Sequence, residues 1–283
     1  MWWLFLLLGV AHAYTPTNDL LARVESECAA VEHLSCAWHD DLLVVDWHPE
    51  KPRDVLWTFN EHARERITGE LALEMIVHLK EMQPTRRITI LPVVNAWGRR
   101  RVEEGHYCQR KNKHGVDTNR NYPPKRHHYP LHSEEYEGPA ALSEPETKYI
   151  ASLLRDGTRM FINIHSGEFS LYTPWDAAPE LPPNFQRLDR NVRRWSKWCP
   201  QCAVGPAART SFYKAYGTAV DYATTLGVDA YTFEIFGRET MSCAHMFNPE
   251  GAEKEQVLTQ WKRILKESLK SSHGPDTHAV DLG

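Results

Sequence analysis

The order of apolar segments along the chain constrains its fold more than any other feature of the sequence. Short runs rich in β-branched and aromatic residues alternate with longer segments in which apolar residues recur at helical spacing. The predicted strands cover residues 42–47, 54–59, 87–94, 160–164 and 228–236, and the predicted helices cover residues 69–82, 144–156, 184–198 and 251–269. This alternation predicts an α/β fold, with three α/β/α layers around a mixed, largely parallel twisted sheet.

The first thirteen residues have the pattern of a secretory leader. Residues 2–10 form an unbroken apolar run, and Ala11-His-Ala13 follows as a small-residue cleavage site. The run is far shorter than the roughly 20 apolar residues that span a bilayer, and no later segment qualifies. We therefore expect a signal peptide at 1–13, one folded domain at 14–270 and a disordered tail at 271–283. The protein would be secreted or lie in the lumen of the secretory pathway.

The cysteine count agrees with an oxidising compartment. Six cysteines are present, and an even number favours disulfides, although the sequence does not fix their pairing. The segment Cys199-Pro-Gln-Cys202 could instead be a redox or metal motif, but a structural zinc site would need a second such pair, and none exists. The formal net charge of -4 gives no indication of nucleic acid or an anionic membrane as partner. The oligomeric state is left open, with a monomer as the working expectation.

The spacing His-x-x-Glu is a weak metal-site signal that recurs in this chain. It occurs at His62/Glu65, His78/Glu81, His132/Glu135 and His165/Glu168. Position separates the four, because ligands in open α/β sheets bind beyond the carboxyl ends of the strands. The first pair follows directly after a predicted strand, and His165 ends another. A single histidine at a strand end is more simply a structural residue, so two strand ends meeting at one rim are needed for a site.

Two further segments carry candidate chemistry. From residue 95 to about 142 the chain is polar and reads as one long functional loop, in which Arg99-Arg-Arg101 are interpreted as solvated charges. Within it, Asn119 and Arg120 stand side by side, a pair that suits a carboxylate, although a capped turn is the simpler explanation. In Tyr231-Thr-Phe-Glu-Ile235, alternation places Glu234 on the face opposite the aromatic residues. A carboxylate there is costly unless it is paired or functional.

These motifs resemble the zinc metallocarboxypeptidases of the carboxypeptidase A/B and N/E type. The resemblance runs from about residue 55 to 269, with the motifs in the same order. It implies one Zn²⁺ per chain, held by His62, Glu65 and His165, and a C-terminal peptide or protein substrate. It implies that Glu234 is the general base and that Arg110 stabilises the oxyanion. It also implies a substrate-binding role for Arg64, Asn119, Arg120 and Tyr213.

Two other functions remain open at this stage. A zinc amidase or deacylase on the same scaffold would be expected to lack the pair Asn119 and Arg120 and the mobile Tyr213. A non-catalytic binding homologue should have lost the base or a metal ligand, and here all are present. The chain also departs from the family pattern, because Asn95-Ala-Trp-Gly98 replaces the usual Asn-Pro-x-Gly. We therefore expect an exopeptidase, because its site would grip a free α-carboxylate that internal peptide bonds do not have.

Two cues for side-chain preference conflict. By resemblance to the A/B branch, Val220 lies at the base of the specificity pocket and favours an apolar C-terminal residue. By resemblance to the N/E branch, Asp176, eleven positions after His165, is the pocket acid and favours Lys or Arg. A solvent-facing loop acid is the simpler explanation for Asp176. We favour a basic preference, because a valine can pack the stem of Lys or Arg, whereas a buried carboxylate without a cation is costly.

Overall fold

The computed structural model describes residues 14–124, 127–211, 213–240 and 242–271. The strands are β1 Leu34–His39, β2 Leu42–Trp47, β3 Arg53–Phe59, β4 Arg87–Leu91, β5 Met160–His165, β6 Phe169–Thr173, β7 Ala203–Pro206 and β8 Asp229–Ile235. The helices are α1 Thr17–Ala30, α2 Arg66–Met82, α3 Ala96–Glu103, α4 Pro145–Arg155, α5 Phe185–Trp195, α6 Ala207–Thr210, α7 Ala219–Thr225, α8 Cys243–Phe247 and α9 Gly251–Ser268. The predicted leader at 1–13, and all but Ser271 of the predicted tail, lie outside the described residues.

The strands form an eight-stranded sheet in the order β1-β2-β4-β3-β5-β8-β6-β7. Strands β4, β3, β5 and β8 are parallel neighbours, and β6 and β7 are parallel to each other. Strand β6 runs antiparallel to β8, and the β1–β2 hairpin joins antiparallel to β4. The sheet is therefore mixed and largely parallel, as the alternation of strands and helices predicts.

Each face of the sheet is buried against helices. Apolar residues of α1, α2, α5 and α9 pack with Trp57, Ile162 and Phe233 in one core. Residues of α4 and α7 pack with Leu56 and Phe161 in a second core on the other face. Successive strand residues point to opposite faces, so neighbouring residues such as Leu56 and Trp57 enter different cores. The three-layer α/β/α prediction is confirmed.

Parallel pairing brings three carboxyl strand ends to one edge of the sheet. Phe59 at the end of β3 pairs with Ile164 of β5, and His165 pairs with Glu234 of β8. Residues that follow β3 must therefore lie beside His165 and Glu234. We call this the C-terminal edge of the sheet.

Several elements differ from the sequence-based predictions. The segment predicted as one loop from residue 95 begins with α3, where the Asn95 side chain accepts a hydrogen bond from the Gly98 N–H and caps the helix. Arg99 is fully buried rather than solvated, because its guanidinium donates to Glu103, at 2.9 Å, and to Thr17. The elements α1, β1, β6, β7, α6, α7 and α8 were not predicted either.

The cysteines pair as Cys28–Cys36, Cys108–Cys243 and Cys199–Cys202. The segment Cys199-Pro-Gln-Cys202 is thus a disulfide and not a metal motif, and the favoured disulfide interpretation is confirmed. No helix within the described ranges is both long and apolar enough to cross a membrane.

Candidate active site

Hydrogen bonds between buried side chains and backbone groups hold the turn after β3 in place. Asn60 has a positive φ of 51° and donates through Nδ2 to the His62 carbonyl at 2.9 Å. Thr68, in the first turn of α2, accepts from the Asn60 N–H at 2.8 Å. Asn248 donates to the Arg64 carbonyl and accepts from the N–H at the start of α2. The side chains of residues 62–65 are therefore carried on a fixed loop.

His62, Glu65 and His165 converge on one point at the C-terminal edge. One Glu65 oxygen lies 2.7 Å from His62 Nδ1, and the other lies 3.0 Å from His165 Nδ1. The two Nδ1 atoms are 3.1 Å apart. All three residues are buried. Two imidazole nitrogens and a carboxylate at these separations form a donor set suited to one zinc ion, which tolerates three protein ligands and an open position.

Close approach shifts the pKa values of these groups. Burial raises the pKa of Glu65, but the charges of His62 and His165 outweigh burial and lower that pKa below its usual range. Burial lowers the pKa of His165, but Glu65 outweighs burial and raises that pKa to about 9. The Glu65 carboxylate and the His165 imidazole thus stabilise each other's charged forms.

The Asp117 carboxylate contacts this cluster through His62. Its Oδ1 lies 3.2 Å from His62 Nε2, and its Oδ2 accepts from Arg110 Nε at 2.8 Å. Burial opposes ionisation of Asp117, but Arg110 and then His62 lower its pKa well below the usual range. A carboxylate on the outer nitrogen orients a metal-binding histidine and makes it more basic. Asp117 was not predicted to have a role, although it lies two residues before Asn119.

Glu234 faces the same point from the neighbouring strand. It pairs across the sheet with His165, on the face opposite Tyr231, Phe233 and Ile235, as alternation predicts. Its Oε2 is shielded from solvent and has no hydrogen-bond partner among the described residues. Burial raises the pKa of Glu234 well above its usual range; His165 opposes this shift and Glu65 adds to it.

A cavity of about 200 Å³ opens at the C-terminal edge. Among its lining residues are all but one of the predicted site residues: His62, Arg64, Glu65, Arg110, Asn119, Arg120, His165, Asp176, Tyr213 and Glu234. The fold therefore brings together residues that are up to 172 positions apart in the sequence (234 − 62).

Asn119 and Arg120 present donors to this cavity. The Asn119 Oδ1 accepts from the Ala219 N–H at 2.9 Å, and its Nδ2 lies 3.3 Å from His165 Nε2, so that one N–H of the NH₂ group is left for the cavity. Arg120 donates to Glu135 through Nη2 at 2.7 Å and Nε at 3.2 Å, and to the Asn119 carbonyl through Nη1. Both side chains are buried and oriented before any ligand arrives.

Arg64 and Tyr213 border the same cavity. Arg64 forms an ion pair with Glu134 at 3.0 Å and lies over the Phe247 ring, 4.5 Å from its centroid. Tyr213 is 47% exposed, which fits a side chain at a cavity mouth. Ser211 and Tyr213 both line the cavity, and α7 begins at Ala219.

The two residues that give conflicting predictions of specificity, Asp176 and Val220, lie in different surroundings. Asp176 lines the cavity and is only 7% exposed. Val220 does not line the cavity, because its side chain packs on α7 within the second core, beside Leu56 and Phe161. The neighbouring Asp221 approaches the cavity wall instead, and its carboxylate accepts the Asp176 N–H at 2.7 Å. A pocket-base role for Val220 stays a prediction, which this packing in the second core does not favour.

Further acidic residues near the cavity were not predicted to belong to the site. Glu168 lines it directly. Glu61 is buried below it, accepts from Asn163 at 2.8 Å and has one oxygen 3.8 Å from His165 Nε2. Its position next to His62 was a signal that could have been used.

Comparisons with known proteins point to one family. A family profile described as zinc carboxypeptidase matches residues 40–263. Mast cell carboxypeptidase A of Rattus norvegicus is 29% identical over 167 residues, which cover 52% of this chain and 40% of the relative. Carboxypeptidase B of Rattus norvegicus is 28% identical over 186 residues, covering 56% and 43%. The chain thus spans less than half the length of these curated relatives.

Solved structures share the fold. Bovine thrombin-activatable fibrinolysis inhibitor, in a complex with tick carboxypeptidase inhibitor, superposes with a TM-score of 0.80 at 19% identity, over 91% of this chain and 97% of that chain. Carboxypeptidase A from Helicoverpa armigera gives a TM-score of 0.78 at 20% identity, over 93% and 74%. At these identities the likeness shows the fold alone.

Proposed function

Because the chain belongs to the zinc carboxypeptidase family, we propose that it hydrolyses the C-terminal peptide bond of peptides and proteins, releasing one residue at a time. One observation carries this proposal: a single cavity combines a three-donor metal cluster, a carboxylate base and oriented donors for a free carboxylate. Zinc would be held by His62, Glu65 and His165, one ion per chain. When bound, it would supply a Lewis acid that polarises the scissile carbonyl and activates water.

Glu234 acts as the general base in this proposal. Its raised pKa and unpartnered Oε2 suit a group that takes a proton from the attacking water and returns it to the leaving amine. Arg110 stabilises the oxyanion, because Asp117 fixes one edge of its guanidinium and leaves Nη1 for the cavity. Losing one such donor typically costs about 10²–10³ in rate.

The free C-terminus is the feature that the site recognises. Asn119 and Arg120 would bind the terminal α-carboxylate, with Tyr213 closing over it and Arg64 contacting the peptide upstream. A charged, bidentate contact of this kind is stronger than a neutral one. Internal peptide bonds offer no carboxylate at that position, so the site selects chain ends.

Amidation of the substrate C-terminus tests this recognition. We expect kcat/KM to fall by about 100-fold or more for the amide relative to the otherwise identical free acid, because the contacts with a charged partner are lost. The measurement compares initial rates for the two peptides under the same metal loading. Equal rates on acid and amide would favour the zinc amidase alternative, and binding of both without hydrolysis would favour the non-catalytic alternative.

We propose that the preferred C-terminal residue is Lys or Arg. The Asp176 carboxylate is buried at the cavity wall, and its Oδ1 has no hydrogen-bond partner in the described part of the chain. Burial raises the pKa of Asp176, and a hydrogen bond from Thr218 and the charge of Arg120 oppose that rise. A cationic side chain reaching Asp176 would supply the missing partner.

The charge balance of the cavity supports the same preference. Each cavity arginine already has an acidic partner: Arg64 with Glu134, Arg110 with Asp117, and Arg120 with Glu135. Glu168, Asp176 and Glu234 line the cavity in addition. The ion pairs of these arginines are thus formed with other acidic residues, so a substrate with a positive side chain would supply an ion-pair partner that an apolar one lacks.

The Asp176→Asn variant tests the basic preference. Asparagine retains the volume and the Thr218 contact but loses the charge, so we expect kcat/KM for peptides ending in Arg or Lys to fall by about 10- to 100-fold. Peptides ending in Phe or Leu should change little. Val220→Ala is the matched control, expected to alter stability but not the Arg-to-Phe ratio. Faster wild-type turnover of Phe or Leu than of Arg would instead support the hydrophobic-preference alternative.

The wider context is part of the proposal. We propose that residues 1–13 are a removed signal peptide, that residues 14–270 are the catalytic domain, and that the protein is secreted and monomeric. The three disulfides support an oxidising compartment. Mass spectrometry of the protein from a secreting host would test the cleavage after Ala13.

A further inference from the structure

His33 and His48 lie side by side at the sheet edge opposite the C-terminal edge. The terminal pair of the β1–β2 ladder is Leu34 with Trp47. The two histidines come next to this pair, just outside the strands. The His48 N–H donates to the His33 carbonyl at 2.7 Å, and the imidazole centroids are 4.7 Å apart. Strand β2 runs antiparallel to β4, and Trp47 pairs with Ile88 near the start of β4. The pair is therefore remote from the catalytic cavity.

Glu50 adds a carboxylate to this pair. Its Oε1 lies 2.7 Å from His48 Nδ1, and one donor atom from each of His33, His48 and Glu50 lies within 4.8 Å of the others. Within the described ranges, only this cluster and His62–Glu65–His165 bring three such donors together. The His–Glu pair at His78 and Glu81, 2.5 Å apart, belongs to no such group.

The cluster of His33, His48 and Glu50 is accessible from a surface groove, and the lysines nearest to it already have other partners. His33 and His48 line a surface groove of about 430 Å³, together with Glu32, Lys51 and Lys80. The Lys51 ammonium donates to the Thr85 carbonyl at 2.7 Å, and Lys80 pairs with Glu27 at 3.3 Å. No lysine in this groove is thus paired with Glu50.

The backbone of both histidines is unusual. His33 has a φ of 66° and His48 a φ of 53°, in the left-handed region that side chains with a Cβ seldom adopt. Such conformations persist where the surroundings determine them, and they concentrate at functional sites. Here they direct two imidazoles toward one carboxylate.

We propose that His33, His48 and Glu50 form a second metal site, for a borderline divalent cation of the Zn²⁺ type. Two imidazoles and a carboxylate suit such ions, whereas Mg²⁺ and Ca²⁺ prefer all-oxygen sets. Water would complete the coordination, or Glu32, whose Oε1 is 3.7 Å from His33 Nε2. The ion would connect the start of β1 to the turn after β2. Its role would be to stabilise the edge hairpin.

Zinc stoichiometry tests this site independently of catalysis. We expect two Zn²⁺ per wild-type chain by equilibrium dialysis, and one in His165→Ala, in which the cavity site is disabled. In that background, His48→Asn should weaken the remaining binding by at least about tenfold. Asparagine tolerates a left-handed φ, so the turn is retained. His78→Asn, which changes the isolated His–Glu pair, is the matched control and should leave binding unchanged.

Thermal unfolding supplies the second readout. In the His165→Ala background, added Zn²⁺ should raise the Tm by several degrees, and His48→Asn or His33→Asn should abolish that shift while the metal-free Tm stays close to the parent value. A single zinc per wild-type chain would overturn the proposal. Retention of the second zinc in both the His48→Asn and the His33→Asn variants would also overturn it.

Discussion

Glu234→Gln is expected to lower kcat by about 10²–10⁴-fold while zinc remains bound at one ion per cavity. The amide keeps the volume of the carboxylate but cannot accept a proton from water. A general base acts in the transition state, so affinity for a C-terminal peptide should change little. The measurement combines kcat from initial rates with metal analysis and with equilibrium binding of a peptide to the variant.

Glu168→Gln is the matched control for this substitution. Glu168 also lines the cavity, but it lies in the turn before β6 and not opposite His165. Its loss should cost far less than the loss of Glu234. If the Glu234 variant retained more than a few per cent of wild-type turnover, a different residue would be the base.

His165→Ala is expected to remove zinc from the cavity and reduce hydrolysis to the background rate. The substitution removes one of three donors, and it leaves Glu65 without one of the two imidazoles that now surround it. Chelation of the wild-type enzyme should have the same effect on hydrolysis and should be reversed by added zinc.

His78→Ala is the appropriate control for His165→Ala. It also belongs to a His-x-x-Glu sequence, but it lies on α2 away from the cavity. We expect full activity and full zinc content in that variant. Retention of cavity zinc and activity by the His165 variant would contradict the assigned metal ligands.

Much of the site could be predicted because it depends on strand ends. Phe59, His165 and Glu234 lie at carboxyl ends of β3, β5 and β8, and those strands carry a clear apolar signal in the sequence. Parallel neighbours bring such ends to one edge, so sequence position indicated that His62 and His165 meet there, whereas the role of Glu234 was implied by the family resemblance. Long helices such as α2 and α9 were likewise predictable from their apolar spacing.

Features that depend on tertiary contacts could not be predicted. Arg99 reads as a surface charge in the sequence, yet its burial depends on Glu103 and on Thr17, which is 82 residues away. The packing of Val220 in the second core could not be predicted, because pattern alone does not show which face of the short helix α7 meets the core. The pairing of Arg120 with Glu135 also depends on how the intervening loop folds back.

Release of single C-terminal residues is the most direct test of the proposed function. A peptide ending in Ala-Phe-Arg with a free carboxylate would be incubated with zinc-loaded, chelated and zinc-restored protein, and products would be identified by mass spectrometry. We predict free arginine and the peptide shortened by one residue, with loss of both on chelation and recovery on zinc addition. Internal cleavage, no cleavage by zinc-loaded protein, or equal release from the chelated protein would contradict the account.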